Sequence, residues 1–424
     1  MLRHPGRRVA NMKPSVWTEF NQLAADCKAV NVGQGFPDIP IPPFVAEINK
    51  NIAANPQRTD WYQYTRGFGH PRLVKALGNL YTDLLHREVS SDSNILITVG
   101  AYAALYYSFL GWLSEGDEVI ILEPAYDSYV TQIRMADAIP VPVLLQLSNR
   151  PKSSNDYKVN VEAIESKITK KTKMIVVNNP HNPTGKLFTR EELMALADLA
   201  NRHDLIVVAD EVYEWHVHPG HEMIRFASLP GMYERTITIG SAGKCFSVTG
   251  WKTGWAIGSA NLLEPLRALH QNVVFTCPTT IQEAIAQAFE VEIELMRRDP
   301  QKSYLKTLLA KELSGKCKFM TSLLENAGLK PVVPQSGYFM LADFSEFDIT
   351  PYLRKDEAED PMDYQFVRWL CRSKNLAVIP PSAFYSEQFR KDNDRMIRIC
   401  FFKNDDTLAR TKEILQNFKT NGKK

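Results

Sequence analysis

Five short runs of apolar residues, rich in valine and isoleucine, recur between residues 95 and 239. They cover residues 95–99, 119–122, 174–177, 205–209 and 236–239. Uninterrupted apolar runs of this length indicate strands that are buried on both faces, as in parallel sheets. Segments with a helical pattern, such as residues 103–113 and 190–202, lie between them. The alternation predicts an α/β fold in which helices connect the strands of a mostly parallel sheet.

The rest of the chain has a different pattern. A long helical run at residues 280–298 is followed by shorter elements, among them a strand at residues 396–401. Residues 146–160 and 354–363 are polar and are predicted to be surface loops. We therefore predict a large domain over residues 43–300 and a smaller α+β domain over residues 301–424, with residues 1–42 as an arm that contributes to the small domain. A cleft between two such domains is the expected place for a ligand.

Length and charge narrow the function classes. A chain of 424 residues with 44% hydrophobic content can bury a substantial core. Its formal net charge is +2, with lysine and arginine spread along the chain, so the basic surface typical of nucleic-acid binding is absent from the sequence. The most apolar helical stretch, residues 101–113, is too short to cross a bilayer. We expect neither nucleic acid nor a membrane as partner, and no metal site.

The thiols and the start of the chain bear on location. Six scattered cysteines without a Cys-x-x-Cys pair argue against zinc ribbons and against a disulfide framework, and they predict reduced thiols in an intracellular protein. Residues 1–9 are basic, and the first acidic residue is Glu19, but no apolar segment of a secretory signal follows. This start fits either the remnant of a mitochondrial leader or a solvated arm, so cytoplasm and mitochondrion both stay open.

Two charged residues stand just after predicted strands. Asp210 follows the run at 205–209, and Lys244 follows the run at 236–239 after a short small-residue turn. Ligand chemistry in open parallel sheets gathers at the carboxyl ends of the strands. A lysine shielded from water can lose its proton and form a Schiff base with an aldehyde, and a carboxylate can balance a protonated pyridine ring. Taken alone, each residue also fits a structural role, Lys244 in an ordinary loop and Asp210 as a helix cap.

Two further segments offer hydrogen-bonding groups at strand ends. The prolines and asparagines of residues 178–185 are expected to form an extended turn that points amide side chains outward, so that Asn182 could bond a ring oxygen. Gly100, Ala101 and Tyr102 stand between a strand and a helix, where free backbone amides can bind a phosphate. Tyr102 could stack on a flat ring. The alternatives are simple turn chemistry for Asn182 and core packing for Tyr102.

Taken together, four motifs resemble those of the fold-type I aminotransferases that use pyridoxal 5′-phosphate (PLP). They are Asn-Pro-His-Asn-Pro-Thr-Gly at 179–185, Asp-Glu-Val-Tyr at 210–213, Gly-Ser-Ala-Gly-Lys at 240–244 and Thr-Gly-Trp-Lys-Thr-Gly-Trp at 249–255. Residues 16–20, 32–38 and 64–69 resemble the kynurenine aminotransferase branch, whose members are also described as glutamine transaminase K and cysteine-S-conjugate β-lyase. The resemblance implies a large domain with a mostly parallel seven-stranded sheet flanked by helices, and a smaller α+β domain.

The resemblance also implies the cofactor site. Lys244 corresponds to the lysine that binds PLP covalently and moves the substrate proton, Asp210 to the partner of the ring nitrogen, and Tyr213 to a residue that bonds the ring oxygen. These three are the implied catalytic residues. The further cofactor-binding positions are Asn182, Tyr102, Gly100, Ala101, Ser241, Lys252 and, reaching over from a partner subunit, Tyr64.

The substrate site and the activity follow from the same resemblance. The implied substrate-binding residues are Arg398, Gly35, Trp17, Asn182, Tyr126 and Phe275. Arg398 would hold the carboxylate, because a guanidinium fork binds both oxygens in one plane. The implied reaction moves the amino group from kynurenine and other bulky or aromatic amino acids, and also from glutamine, methionine, phenylalanine, tryptophan and cysteine, to a 2-oxo acid in a ping-pong mechanism, so that kynurenine gives kynurenate. A homodimer is implied, because Tyr64 and Phe275 act on the partner's site.

Two alternative activities also fit some of these residues. A cysteine-S-conjugate β-lyase would use the same lysine, aspartate and arginine, as its main or its side activity. Ser241-x-x-Lys244 with Lys252-Thr-Gly254 also matches motifs of acyl-enzyme hydrolases, but in those enzymes the motifs lie far apart with a Ser-Asp-Asn between them. Here they are nearly adjacent and no Ser-Asp-Asn occurs. Cys245, Tyr126 and Thr276 depart from the branch pattern, which leaves the ranking of substrates open.

Overall fold

The computed structural model describes residues 6, 8–9, 15–148, 150–350 and 354–418. The basic start of the chain, for which a leader or a solvated arm was predicted, lies outside the described residues apart from residues 6, 8 and 9. In the described part of the chain, no helix is both long enough and apolar enough to cross a membrane.

Strands, helices and single turns alternate along the described residues. The strands are β1 (Val30–Asn31), β2 (Ile95–Val99), β3 (Glu118–Glu123), β4 (Ile139–Leu144), β5 (Gln146–Leu147), β6 (Tyr157–Lys158), β7 (Thr172–Asn178), β8 (Ile206–Asp210), β9 (Thr236–Ser241), β10 (Thr253–Ile257), β11 (Lys330–Val332), β12 (Phe339–Asp343), β13 (Leu376–Ala377) and β14 (Met396–Cys400). The helices are α1 (Val16–Asp26), α2 (Pro43–Ala53), α3 (Pro71–Leu85), α4 (Gly100–Trp112), α5 (Ser128–Met135), α6 (Val161–Glu165), α7 (Arg190–Arg202), α8 (Ala242–Cys245), α9 (Ala260–Val273), α10 (Thr279–Arg298), α11 (Leu309–Ala327), α12 (Met362–Lys374), α13 (Glu387–Arg390) and α14 (Asp405–Gln416).

The central sheet has seven strands in the order β2-β10-β9-β8-β7-β3-β4. All neighbours are parallel except β10, which runs antiparallel to both β2 and β9. The residues of the inner strands are mostly apolar and buried, since helices cover the sheet, whereas the edge strand β4 is largely half-buried. The predicted α/β fold with a mostly parallel seven-stranded sheet is therefore confirmed, and each of the five apolar runs forms one strand of it.

One edge of this sheet collects the ends of several strands. In the register of the sheet, Asn178 at the end of β7 lies opposite Asp210 at the end of β8. Strand β9 ends at Ser241 and passes directly into α8, and β2 ends directly before α4. Because β10 is reversed, its first residue, Thr253, pairs with the last residue of β2, Val99. Side chains from five segments thus meet at the carboxyl edge, where ligands of open α/β sheets bind.

The C-terminal part of the chain builds a smaller antiparallel sheet in the order β11-β12-β14. The N-terminal segment joins it, because β1 pairs in parallel with β13 and the backbone N–H of Cys400 donates to the carbonyl of Val32 at 2.6 Å. Helix α1 packs against α12. This association agrees with an arm that contributes to the small domain; the boundaries at residues 42 and 300 stay a prediction.

Two segments predicted to be loops contain regular structure. Within residues 146–160, β5 pairs antiparallel with β6, and the buried hydroxyl of Ser154 donates to the carbonyl of Gly185. Within residues 354–363, a helical turn covers Lys355–Glu357, and Asp363 belongs to α12. Asp363 is fully buried, and its carboxylate accepts hydrogen bonds from the N–H and the hydroxyl of Ser382 at 2.7 Å, which compensate for the loss of water. The polar composition of these segments therefore predicted surface residues correctly only in part. A buried polar residue with a hydrogen-bond partner cannot be distinguished in the sequence from a polar residue on the surface.

Candidate active site

A cavity of about 380 Å³ lies at the carboxyl edge of the large sheet, between this sheet and the C-terminal one. The predicted site residues that line it are Trp17, Gly35, Gly100, Ala101, Tyr102, Tyr126, Asn182, Asp210, Tyr213, Ser241, Lys244, Lys252 and Arg398. A groove of about 620 Å³ between α3 and α10 is larger but contains none of these residues. The chemistry-bearing residues of the sequence therefore meet in one place.

Lys244 stands in α8, immediately after β9, with its amine in the cavity. Its Nζ donates to the hydroxyl of Tyr338 at 2.7 Å and to the carbonyl of Gly35 at 3.0 Å. Burial lowers the pKa of this amine to about 8, with the positive charge of Arg398 acting in the same direction. A sizeable fraction of the amine is thus neutral, and nucleophilic, near pH 7 to 8. The partners of Nζ do not include Ser241, which removes the Ser-x-x-Lys arrangement of an acyl-enzyme hydrolase.

Asp210 ends β8 at the base of the cavity. Its carboxylate accepts a hydrogen bond from the hydroxyl of Tyr129 at 2.5 Å and a longer one from the N–H of Val212 at 3.4 Å. Burial raises its pKa, and Tyr129 opposes that shift. None of the ion pairs among the described residues includes Asp210, so a cationic ligand group such as a protonated ring nitrogen is what this buried carboxylate lacks.

The asparagine-rich turn differs from its prediction, because its amides point inward. Asn178 donates through Nδ2 to the carbonyl of Asp210 at 2.8 Å, and its Oδ1 accepts from the N–H of Asn182 at 2.7 Å. Asn179 donates to the carbonyl of Ile224 at 3.2 Å. These asparagines are buried, and a buried amide must use its hydrogen bonds within the protein. The turn is therefore braced against the end of β8, and Asn182 lines the cavity.

Arg398 is a buried cation that forms no ion pair with any described carboxylate. Its side chain is 1% exposed, and its guanidinium donates to the side-chain oxygen of Asn182 at 3.1 Å and to the carbonyl of Gly33 at 2.9 Å. The Nε atom has no partner among the described residues. Burial lowers the pKa of this guanidinium to about 10. A carboxylate ligand would supply the missing charge and the missing acceptor.

Aromatic rings surround the guanidinium. It lies 4.0 Å from the ring centre of Phe339 and 5.0 Å from those of Trp17 and Phe384. The indole N–H of Trp17 donates to Asp127 at 3.2 Å, which fixes the ring on the cavity wall. A ligand carboxylate at Arg398 would therefore carry its side chain into an aromatic environment.

The opposite end of the cavity is suited to a phosphate. Helix α4 begins at Gly100, directly after β2, so its first backbone N–H groups are free to bind an anion. A Cβ atom on Gly254 would lie only 2.3 Å from the N atom of Ala101, so glycine is required for this close approach. Lys252 adopts a left-handed backbone with φ of 50°, and its Nζ would lie 3.2 Å from a Cβ on Gly100. None of the ion pairs among the described residues includes Lys252, and Ser241 adds a hydroxyl to the same wall.

The exposed aromatic residues fall into two groups. Tyr102 is 47% exposed and lines the cavity. Tyr64 and Phe275 do not line it; they are 83% and 57% exposed, and their rings pack edge to face with centres 5.6 Å apart. An exposed pair of large rings is typical of a protein contact surface. Their action on a partner's site stays a prediction.

Several lining residues were not predicted from the sequence. Tyr129, Tyr338, Phe339 and Asn178 all contact a predicted site residue or line the cavity. Asn178 could have been found, because it directly follows a predicted strand. The two tyrosines carry no such signal, because buried tyrosines are frequent in any core. Cys245, the unusual neighbour of Lys244, is 1% exposed, and burial raises its thiol pKa well above the ordinary value, which is typical of an inert core thiol.

Comparison with known proteins places the chain in a family. The sequence profile for "Aminotransferase class I and II" matches residues 28–414. The chain is 46% identical over 415 residues to kynurenine--oxoglutarate transaminase 3 of Homo sapiens, covering 97% of this chain and 89% of that protein. It is 41% identical to kynurenine--oxoglutarate transaminase 1 of Homo sapiens, covering 97% of this chain and 98% of that protein.

A solved structure agrees with these relatives. Bna3p of Saccharomyces cerevisiae superimposes with a TM-score of 0.91 at 29% identity over 99% of both chains. The profile match spans most of the chain, and the identity to the human relatives extends over almost its full length. The chain described here is a member of the class I and II aminotransferase family.

Proposed function

We propose that the protein is a PLP-dependent transaminase that takes the amino group from kynurenine and other bulky or aromatic amino acids and delivers it to a 2-oxo acid. The observation that carries this proposal is the convergence of three buried groups in one cavity. The amine of Lys244 has a lowered pKa, Asp210 has no cationic partner among the described residues, and Arg398 has no carboxylate partner there. An amino acid attached to a cationic aromatic ring would satisfy all three.

The cavity fits PLP by its donor set. Asp210 would hold the ring nitrogen, Tyr213 and Asn182 the ring oxygen, and the start of α4 with Ser241 and Lys252 the phosphate. When bound, PLP supplies an aldehyde to which an amine attaches and a ring that accepts electrons from the substrate α-carbon. The ring of Tyr102 would cover its face.

The residues of this chain then divide the work. Arg398 binds the α-carboxylate and so fixes which bond of the α-carbon faces Lys244. The Nζ atom of Lys244, neutral in a useful fraction near pH 8, takes the α-proton and returns it at the cofactor. Asp210, kept from water, would stabilise a positive charge on the ring nitrogen of the cofactor. A second oxo acid reverses these steps, which gives ping-pong kinetics.

Substrate choice is proposed from the cavity wall and from the names of the relatives. Trp17, Tyr126, Phe339 and Phe384 present flat apolar surfaces near Arg398, which suits kynurenine, tryptophan, phenylalanine and methionine. Each contact of this kind discriminates by about 1–3 kcal/mol, so a broad range of donors is expected. With kynurenine, the oxo acid product closes to kynurenate.

We also propose a homodimer as the active form. The support is the exposed pair Tyr64 and Phe275, which lies outside the cavity of its own chain. In the proposed dimer these rings complete the cofactor and substrate sites of the other subunit.

The proposal is tested in two measurements on the purified protein with PLP. Reduction with borohydride should fix the cofactor on the peptide that contains Lys244, as read by mass spectrometry. A panel of amino donors with 2-oxoglutarate and pyruvate should then show transfer, with kynurenate formed from kynurenine. A tag on another lysine, or no transfer from any donor, would refute the proposal. Pyruvate and ammonia from cysteine S-conjugates at a higher rate than any transfer would assign the β-lyase activity instead.

A further inference from the structure

Tyr338 contacts the amine of Lys244 but belongs to no motif of the sequence analysis. It stands directly before β12 and is completely buried. Its hydroxyl donates to the carbonyl of Gly35 at 2.7 Å and accepts from Nζ of Lys244 at 2.7 Å. The same carbonyl accepts a second bond from Nζ at 3.0 Å. Amine, hydroxyl and carbonyl thus form a closed triangle.

The direction of these bonds follows from the donors available. A carbonyl oxygen only accepts, so the single proton of the Tyr338 hydroxyl is used on Gly35, and a lone pair of the hydroxyl oxygen is left for the amine. A neutral amine in this position donates both of its N–H groups, one to each oxygen. The lone pair of the nitrogen then takes no part in the hydrogen bonds to the two oxygens. An amine held in this way is oriented and remains able to accept a proton.

Both oxygens of the triangle are fixed by the fold. The ring of Tyr338 packs edge to face on Tyr213 with centres 5.2 Å apart and stacks on Phe402 at 6.1 Å. The Nζ of Lys403 donates to the carbonyls of Gln34 and Phe36, at 3.3 and 2.8 Å, and so holds the peptides on both sides of Gly35.

A larger residue at position 35 would clash with Phe339. A Cβ atom there would lie 2.7 Å from Cζ of Phe339, so only glycine brings its carbonyl this close. The receiving oxygens are therefore preset, whereas the lysine side chain is long and flexible. Ordering such a side chain costs conformational entropy, and a preset site lowers this cost at the moment of reaction.

We infer that Tyr338 is a positioning residue that holds the amine of Lys244, together with the carbonyl of Gly35, whenever this amine is not attached to the cofactor. The inference rests on the proposed transaminase function, in which Lys244 is free while the substrate is bound. In that interval the amine must stay at the α-carbon rather than sample the whole cavity. Tyr338 is not among the residues that line the cavity; it contacts the amine of Lys244 and packs on the ring of Tyr213.

The test variant is Tyr338→Phe, which keeps the ring and removes the hydroxyl. Its kcat should fall about tenfold to a hundredfold while KM for the amino donor changes little, because substrate binding does not use the hydroxyl. The kinetic isotope effect with an α-deuterated donor should rise, because proton removal becomes slower than the other steps. The matched control is Tyr157→Phe, another buried tyrosine, which does not line the cavity and whose hydroxyl contacts the sulfur of Met396 at 3.9 Å. It should leave kcat and the isotope effect unchanged.

A second readout does not depend on turnover. In cofactor-free protein, trace labelling with acetic anhydride over a range of pH reports the reactivity of each lysine by mass spectrometry. Lys244 should be labelled faster in Tyr338→Phe than in the wild type and in Tyr157→Phe, because a held amine is less accessible. Equal labelling together with an unchanged isotope effect would overturn the inference.

The wild type provides an independent check if Tyr338→Phe does not fold. In a crystal structure with pyridoxamine phosphate the lysine is necessarily free, and its Nζ should lie within hydrogen-bond distance of both Tyr338 and Gly35. An amine found elsewhere in that structure would overturn the inference. Failure of the transaminase function itself looks different, because the wild type would then show neither amino transfer nor a borohydride tag on Lys244.

Discussion

At the scale of single residues, the site combines buried charges that lack partners. Arg398 and Asp210 are 1% and 4% exposed, and among the described residues neither has an ion pair. Desolvated charges of this kind are costly in a protein that never binds a ligand, because nothing repays the loss of water. Their presence in one cavity therefore indicates a ligand that carries both a carboxylate and a cationic group.

Arg398→Lys separates carboxylate binding from side-chain recognition. The shorter ammonium loses the planar fork, so KM should rise about tenfold to a hundredfold for every α-amino acid tested. Steady-state kinetics with phenylalanine, methionine and glutamine measure this. A rise confined to one of these donors would mean that the arginine recognises the side chain instead.

Asp210→Asn removes the negative charge and keeps the shape of the side chain. We expect a loss of about a hundredfold or more in kcat with little change in melting temperature, because the amide cannot stabilise a protonated ring nitrogen. The control is Tyr129→Phe, which removes one hydrogen bond to the carboxylate but not the charge, and should cost less. Equal losses in the two variants would assign the effect to positioning rather than to charge.

Some of the residues that the sequence predicts follow a strand within one motif. Lys244 and Asp210 are examples, because the end of a buried strand is readable from the apolar run before it. Tyr129 and Tyr338 reach the same atoms from elements that lie 81 and 94 residues away along the chain. The sequence around these two tyrosines does not indicate that they lie next to Asp210 and Lys244, so only the folded structure reveals the contacts.

At the scale of elements, one short segment joins the two sheets. Residues 380–386 carry Phe384, whose carbonyl accepts from the N–H of Ala125 at 2.7 Å. Glu123, the last residue of β3, accepts from the N–H and the hydroxyl of Ser386 at 2.8 and 3.0 Å. Glu123 is 1% exposed, and burial raises its pKa to about 7. A carboxylate thus fastens the segment to the end of a strand of the large sheet.

This carboxylate makes stability depend on pH in a definite direction. Its pKa of about 7 in the folded protein exceeds the value of about 4.3 in an unfolded chain, so folding favours the protonated form. The stabilising contribution is present below about pH 4 and is lost as the pH rises through 7. Glu123→Gln removes the titration, so its melting temperature relative to the wild type should increase between pH 5 and pH 8. The exposed Glu359→Gln serves as control, and a difference that falls with pH would contradict the assignment.

The apolar runs predicted the strands to within two residues at each end, because a strand buried on both faces is continuous in sequence. The segments at 146–160 and 354–363 were missed as regular structure for the opposite reason. Their buried polar side chains, Ser154 and Asp363, are satisfied by backbone and side-chain groups far along the chain. A polar residue with a buried partner and a polar residue in water have the same appearance in sequence.

At the scale of the whole molecule, two large aromatic side chains are exposed at a place where they do not contribute to the cavity of their own chain. Tyr64 and Phe275 form an exposed aromatic pair outside the cavity. In a twofold dimer, the pair from each subunit would reach the cavity of the other subunit, because twofold symmetry repeats every contact between the subunits.

Mixed dimers test this arrangement. Tyr64→Ala and Lys244→Ala should each be strongly impaired as homodimers. In a hybrid of the two, one site combines an intact lysine with the partner's intact tyrosine. Random co-assembly should therefore restore about one quarter of the wild-type activity. A hybrid of Lys244→Ala with Asp210→Asn is the control and should restore none, since both changes affect the site of their own chain; recovery there, or none in the first mixture, would refute the shared site.

The reversed strand β10 has a consequence for how this chain could be rearranged. Because it runs against its neighbours, its beginning rather than its end reaches the ligand edge. Lys252 arrives there directly after the helical turn Thr249–Trp251, which follows α8. The proposed covalent anchor, Lys244, and the proposed phosphate-binding cation, Lys252, are thus encoded in one uninterrupted stretch of polypeptide. New termini placed in any other connection of the sheet would leave that stretch whole, whereas a cut between α8 and β10 would separate the two positive charges.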